Sequence, residues 1–118
     1  MISIRREPKT NVLYTTAVKT LDEADYDRLI PAVRAIIQEY GKVRWYFEME
    51  DFDGWTPTAF WKDLKFDVRH ASDYERVAIV GRKSWMNWMT QLMKPFTSAD
   101  IRYFELEEQD EARAWIAQ

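Results

Sequence analysis

Val43-Arg-Trp-Tyr-Phe-Glu-Met-Glu50 alternates without a break: Val43, Trp45, Phe47 and Met49 fall on one side, and Arg44, Tyr46, Glu48 and Glu50 on the other. Side chains repeat every second residue only in an extended chain, so this stretch predicts a strand with one buried and one wetter face. Helical patterns stand on both sides of it. Upstream, Thr20-Leu-Asp-Glu23 has capping-box spelling, Leu29, Val33, Ile36, Ile37 and Tyr40 recur at helical spacing, and Gly41 supplies a stop. Pro31 falls inside that pattern and predicts a break or kink near Leu29, because its ring removes an N–H and crowds the preceding turn. Downstream, Thr56-Pro57 reads as an N-cap followed by Pro at the first helical position, with Phe60, Trp61, Leu64, Val68 and Ala71 as the inner stripe.

Further out, residues 2–5 and 12–18 read as strands around the turn Glu7-Pro8-Lys9-Thr10-Asn11, an antiparallel hairpin. Residues 76–80 hold the continuous apolar run Val77-Ala-Ile-Val80, ended by Gly81. Residues 84–96 form a third helix, residues 101–106 a last strand, and residues 110–117 a last helix anchored by Ala112, Trp115 and Ile116. The order ββαβαβαβα predicts an α/β fold: a single mainly parallel five-stranded sheet with an antiparallel first edge strand, because strands alternating with helices imply right-handed crossovers. The wet face of residues 43–50 suits helices gathered mainly on one side of that sheet. Residues 1–118 are expected to form one domain, without linker, repeat or long floppy tail.

Composition narrows the function classes. A formal charge of −3 offers no broad positive field for phosphate backbones, so nucleic acid is not an expected partner. The absence of cysteine excludes disulfides, thiolate catalysis and Cys-ligated metals, and suits a reducing cytoplasm. The opening Met-Ile-Ser-Ile-Arg-Arg-Glu-Pro8 lacks the apolar run of a signal peptide, and no stretch approaches the roughly 18 apolar residues of a transmembrane span.

The third helix is unusual. In Ser84-Trp-Met-Asn-Trp-Met-Thr-Gln-Leu-Met-Lys-Pro-Phe96, the residues Trp85, Met86, Trp88, Met89, Leu92, Met93 and Phe96 fan across an arc of roughly 160°, where a core-facing helix needs about 100°. The bland reading is a core helix with a few semi-exposed aromatics. The sharper one is that part of the arc lines an apolar cavity or meets a partner, since Met re-packs readily around varied apolar surfaces. Its polar face, Ser84, Asn87, Thr90, Gln91 and Lys94, carries too little charge for strong attachment to anionic lipid. Arg82 and Lys83 stand just before its positive end, where an anionic headgroup, a carboxylate, or simply Asp51, Asp53 or solvent would relieve them.

Asp51-Phe-Asp-Gly-Trp-Thr56 approximates the Asp-x-Asp-Gly-Thr phrase of haloacid-dehalogenase phosphatases, in which a strand-end Asp is the nucleophile. Here the Thr is displaced by one place and the chain is too short for that enzyme core. A turn is the reading instead, with Gly54 supplying unusual backbone angles and the carboxylates solvated rather than holding magnesium. His70, the sole histidine, lies near a helix C-terminus, where a cationic ring interacts favourably with the dipole.

Taken together, Asp51-Phe-Asp-Gly-Trp-Thr-Pro57, Asp63-Leu-Lys-Phe-Asp-Val-Arg-His70, Glu75-Arg-Val-Ala-Ile-Val-Gly81, Pro95-Phe96 and Arg102-Tyr-Phe104 resemble the SpoIIAA-like family over nearly the whole chain. The resemblance implies a bacterial protein with a fold similar to STAS domains and, more distantly, to lipid-binding Sec14-type domains. It also implies small apolar ligand binding or peripheral membrane association. The anti-sigma-factor antagonists that give the family its name carry a phosphorylatable Ser in the loop after the third strand. The matching loop here has none; Thr56 is its nearest hydroxyl, and an N-cap Thr is engaged by its own helix. Partner-switching phosphorylation is therefore not carried over, although Asp51, Asp53, Gly54 and Thr56 mark the corresponding regulatory loop.

The expectation is a non-enzymatic cytoplasmic domain without catalytic residues, metal or cofactor, transiently at the inner face of the membrane. It would bind an apolar small molecule or lipid between the helix after Thr56 and the third helix. The candidate contacts are Trp55, Phe60, Trp61, Trp85, Trp88, Met89 and Met93, with Arg82 and Lys83 for a polar head. The rival reading is a protein-interaction module that uses the same surface as a homodimer or partner interface.

Overall fold

The structure, a computed structural model, describes residues 1–82, 90–91 and 99–118. Strands β1 (Ile2–Arg6) and β2 (Val12–Leu21) precede helix α1 (Glu23–Tyr40), strand β3 (Val43–Trp55), helix α2 (Pro57–Arg69) and strand β4 (Tyr74–Gly81). Strand β5 (Asp100–Glu105), a 3-10 turn (Leu106–Glu108) and helix α3 (Gln109–Ala117) follow. The sheet runs in chain order, β1 antiparallel to β2 and every later pair parallel. That is the expected α/β architecture. The third helix of the expected order lies outside the described residues apart from Thr90 and Gln91, which are helical.

A sheet that grows by one strand at a time in a single direction, through right-handed crossovers, must place its crossover helices on one face. Accordingly α1 and α2 share the main core with Leu13, Ala17, Trp45, Phe47, Met49 and Phe52. The other face is not left wet. Helix α3 lies across it, and Ala112, Trp115 and Ile116 close a second core over Val12, Tyr46, Ala78 and Val80. Tyr46 and Glu48, expected on the wetter side, are buried at 2% and 5% exposure, with the Tyr46 hydroxyl donating to Glu48 Oε1 at 2.6 Å.

Three local expectations are corrected. Helix α1 is a single 18-residue element with Pro31 inside it. Pro31 is exposed, so the carbonyl it leaves without a partner faces water, which removes most of the reason to break there. Its capping box is Asp22 with Asp25 rather than Thr20 with Glu23, because Thr20 still belongs to β2. Finally, residues 51–55 are not a turn. They extend β3 beside the end of β2, pairing Lys19 with Phe52, Thr20 with Gly54 and Leu21 with Trp55 through register shifts. Left-handed backbone at Lys19, Asp51 and Gly54 absorbs those shifts, and at Gly54, with φ of 116°, the absence of a Cβ makes this inexpensive.

Candidate functional site

Helix α2 carries the largest departure from expectation. Thr56 caps it, its Oγ1 accepting the Ala59 N–H at 3.2 Å, and Pro57 fits the first turn as the sequence predicts. The helix is nonetheless rotated. Ala59 and Phe66 are its buried residues, whereas Phe60, Trp61, Leu64 and Val68 are 49%, 55%, 42% and 71% exposed. The expected inner stripe is therefore an outer one. These four side chains span an arc of about 100° on the helix surface, the width an apolar face needs for docking.

What turns the helix is a pair of carboxylates. Asp63 and Asp67, one turn apart, share the inward side with Ala59 and Phe66 and meet partners held by the rest of the fold. The Tyr26 hydroxyl on α1 donates to Asp63 Oδ1 at 2.8 Å and accepts the Trp55 indole N–H at 2.7 Å. The Tyr74 hydroxyl, at the start of β4, donates to Asp67 Oδ1 at 2.7 Å. The two carboxyls also act on one another directly. Burial pushes both upward from the ordinary carboxylate range, and the neighbouring Asp63 charge pushes Asp67 well above it. Both acids are thus harder to ionise than free carboxyls, Asp67 the more so because the Asp63 charge opposes it. Burial, reinforced by the adjoining carboxylates, drives the Tyr26 and Tyr74 phenols above their usual range, so neither serves as a base near neutrality. The chain Trp55–Tyr26–Asp63–Asp67–Tyr74 is a clamp that fastens α2 to α1 and the sheet.

Electrostatics on the outside complement this. Lys62 pairs with Glu23 at 3.1 Å and Asp27 at 2.8 Å, a second tie between α2 and α1. Lys65 lies 5.4 Å over the Trp61 ring, and Arg69 follows one turn later on the same flank. The outer face is therefore an apolar stripe with a basic border.

The other candidate residues are placed as follows. Trp55 is half-buried at the end of β3, edge-on to Phe52 at 5.0 Å and to Phe60 at 6.1 Å, so the clamp adjoins the exposed stripe. Arg82 is exposed just beyond β4. Lys83, Trp85, Trp88, Met89 and Met93 lie outside the described residues. Asp51 and Asp53 are exposed on the bulged end of β3. Among the described residues no group of three or more His, Asp or Glu side chains is placed to hold a metal ion, and no helix is long and apolar enough to cross a membrane. Sequence reasoning missed Tyr26, Asp63, Asp67 and Tyr74 as a unit. The available signal was the four-residue spacing of Asp63 and Asp67, in phase with Ala59 and Phe66.

The SpoIIAA-like family model matches residues 12–117. The chain belongs to the SpoIIAA-like family. Among solved structures, it is similar to an uncharacterised protein with a SpoIIAA-like fold from Shewanella loihica PV-4, at 26% identity and a TM-score of 0.80, over 98% of this chain and 92% of that one. No curated protein matches it. This SpoIIAA-like relationship agrees with the observed α/β architecture. It assigns no ligand.

Proposed function

We propose that this SpoIIAA-like domain is a non-enzymatic binding domain whose outer α2 face takes up an amphipathic lipid, singly or at a membrane surface. The observation that carries the reading is the exposed stripe of Phe60, Trp61, Leu64 and Val68. Four large apolar groups in one contiguous band, bordered by Lys65 and Arg69, suit an acyl chain or interfacial lipid with an acidic head. Trp61 adds the amphipathic ring that favours such boundaries. The excess apolar arc of residues 84–96 supports the same reading through sequence alone, with Trp85, Trp88, Met89 and Met93 as further contacts and Arg82 and Lys83 beside the head. Without a Ser in the segment after the main part of β3, phosphorylation-driven partner switching is not part of this proposal.

Vesicle flotation with phosphatidylglycerol-rich liposomes tests it, alongside native mass spectrometry for co-purifying lipid. The parent protein should float, and Leu64→Asp with Val68→Asp should abolish flotation while leaving the fold intact, since both positions face outward. Failure of the parent to float or to carry lipid would refute the proposal. So would a stable dimer that those substitutions dissociate, which would assign the stripe to protein–protein contact.

A further inference from the structure

The C-terminal ends of α1 and α2 flank an open cleft of about 420 Å³ lined by Arg34, Ile37, Gln38, Arg69 and His70. The chain is acidic overall, yet this cleft gathers two guanidiniums and an imidazole. Among the described residues Arg34 and Arg69, like Arg76 and Arg113, have no carboxylate within ion-pair distance, whereas Arg5, Arg6, Arg28, Arg44 and Arg102 each do; of the unpaired ones, Arg34 and Arg69 share this cleft. Arg34 instead lies 5.7 Å over the Phe66 ring, and Phe66 lies 4.4 Å from the His70 ring, so the three form a stacked wall. His70 Nδ1 is held by Asp73 Oδ2 at 2.8 Å; a carboxylate only accepts, so Nδ1 is the donor there. That contact fixes the ring, while Nε2 is buried without a hydrogen-bond partner among the described residues.

We propose that this cleft binds a phosphate monoester, its dianion held between Arg34 and Arg69 and its organic body resting on Ile37. Two unpaired guanidinium forks match the charge of about −1.5 to −2 on a phosphate monoester near neutrality, and Arg geometry favours bidentate contact with such oxygens. Among the described residues no carboxylate lines the cleft; the neighbouring Asp73 is engaged by His70. The cleft shares Arg69 with the basic border of the outer α2 face but makes no use of its apolar stripe.

Phenyl phosphate and phosphatidate vesicles serve as the soluble and lipid-borne probes, with benzoate at equal ionic strength as the control. Amide NMR titration of the full chain should show saturable shifts centred on Arg34, Gln38, Arg69 and His70 with at least one phosphate probe, and much weaker ones with benzoate. Arg34→Gln and Arg69→Gln, both at exposed positions, should each weaken binding roughly tenfold or more, the loss expected for one charge-assisted hydrogen bond. Leu64→Asp should leave phenyl phosphate binding unchanged, which separates this site from the α2 stripe. No saturable shift with either phosphate probe, equal shifts with benzoate, or affinity insensitive to both Arg substitutions would overturn the proposal.

Discussion

Replacing Asp67 by Asn should stabilise the protein near neutral pH and reduce its pH dependence there. In the folded chain burial and the Asp63 charge hold Asp67 protonated well above the ordinary carboxylate range, whereas the unfolded chain releases that proton near its usual value. Between those two points the folded state binds one more proton than the unfolded state. Stability from this group is therefore full only below the ordinary carboxylate value and is lost as pH rises from there through the folded value. While the one-proton difference lasts, the slope approaches about 1.4 kcal/mol per pH unit. Asparagine keeps the geometry without the charge: its amide can donate to Asp63 and its carbonyl can accept from Tyr74. Urea denaturation from about pH 5 to about pH 8 isolates this effect, because the depressed carboxyls act only at lower pH. Glu75 is held down by hydrogen bonding to Arg44; Asp25, although burial opposes it, is held down by hydrogen bonds from the Asp22 backbone and the N-terminus. Their contribution is present above the ordinary carboxylate range and is lost as pH falls below it. Wild-type stability should decline across the window, while the Asn variant, which keeps only the Asp63 contribution, declines less steeply and ends higher. A flat wild-type profile, or an Asn variant that retains the full slope, would refute the buried-carboxyl account of the clamp.

Four other outcomes are expected. Phe66→Ala, at a position 6% exposed, should cost about 3–5 kcal/mol in chemical denaturation, whereas Phe60→Ala on the outer side should cost less than about 1 kcal/mol. Comparable losses would mean that the helix phase is wrong. Tyr26→Phe deprives both Trp55 Nε1 and Asp63 of a buried partner and should cost about 2–4 kcal/mol, read from the same melts. Thr15→Val should cost about 1–3 kcal/mol, because Thr15 Oγ1 is the acceptor for the Trp45 indole N–H at 2.9 Å and itself bonds the Tyr46 carbonyl. Gly41→Ala should shorten thermal stability by the equivalent of about 1 kcal/mol, since the C-cap sits at φ of 82°.

The sheet was legible because its signals are periodic. Val43, Trp45, Phe47 and Met49 declare a strand by alternation, the run from Val77 to Val80 declares a buried one, and the helices between them force parallel pairing. The ends of strands were less legible. Asp51, Asp53 and Gly54 have the composition of a turn, yet pairing with an equally long β2 holds them in the ladder as a bulge. The phase of α2 was misread for a sharper reason. Counting apolar residues assigns Phe60, Trp61, Leu64 and Val68 to the inside unless the carboxylates have buried partners. Those partners, Tyr26 and Tyr74, come from 37 residues before and 7 after the acids they bind, a pairing no local pattern reveals. Of the expected contacts, Trp55, Phe60 and Trp61 cluster at one end of α2. The case for Trp85, Trp88, Met89 and Met93 is still their sequence pattern.

The cysteine-free sequence permits a direct test of the outer face. A spin label at Val68→Cys, compared with one at the exposed α1 position Ala35→Cys, can be read by power-saturation EPR with oxygen and an aqueous nickel chelate. On adding acidic vesicles, the label at position 68 should gain oxygen contact and lose nickel contact, while the label at position 35 stays aqueous. Both labels remaining equally accessible to nickel at saturating lipid would contradict the assignment of α2 as the lipid-facing surface.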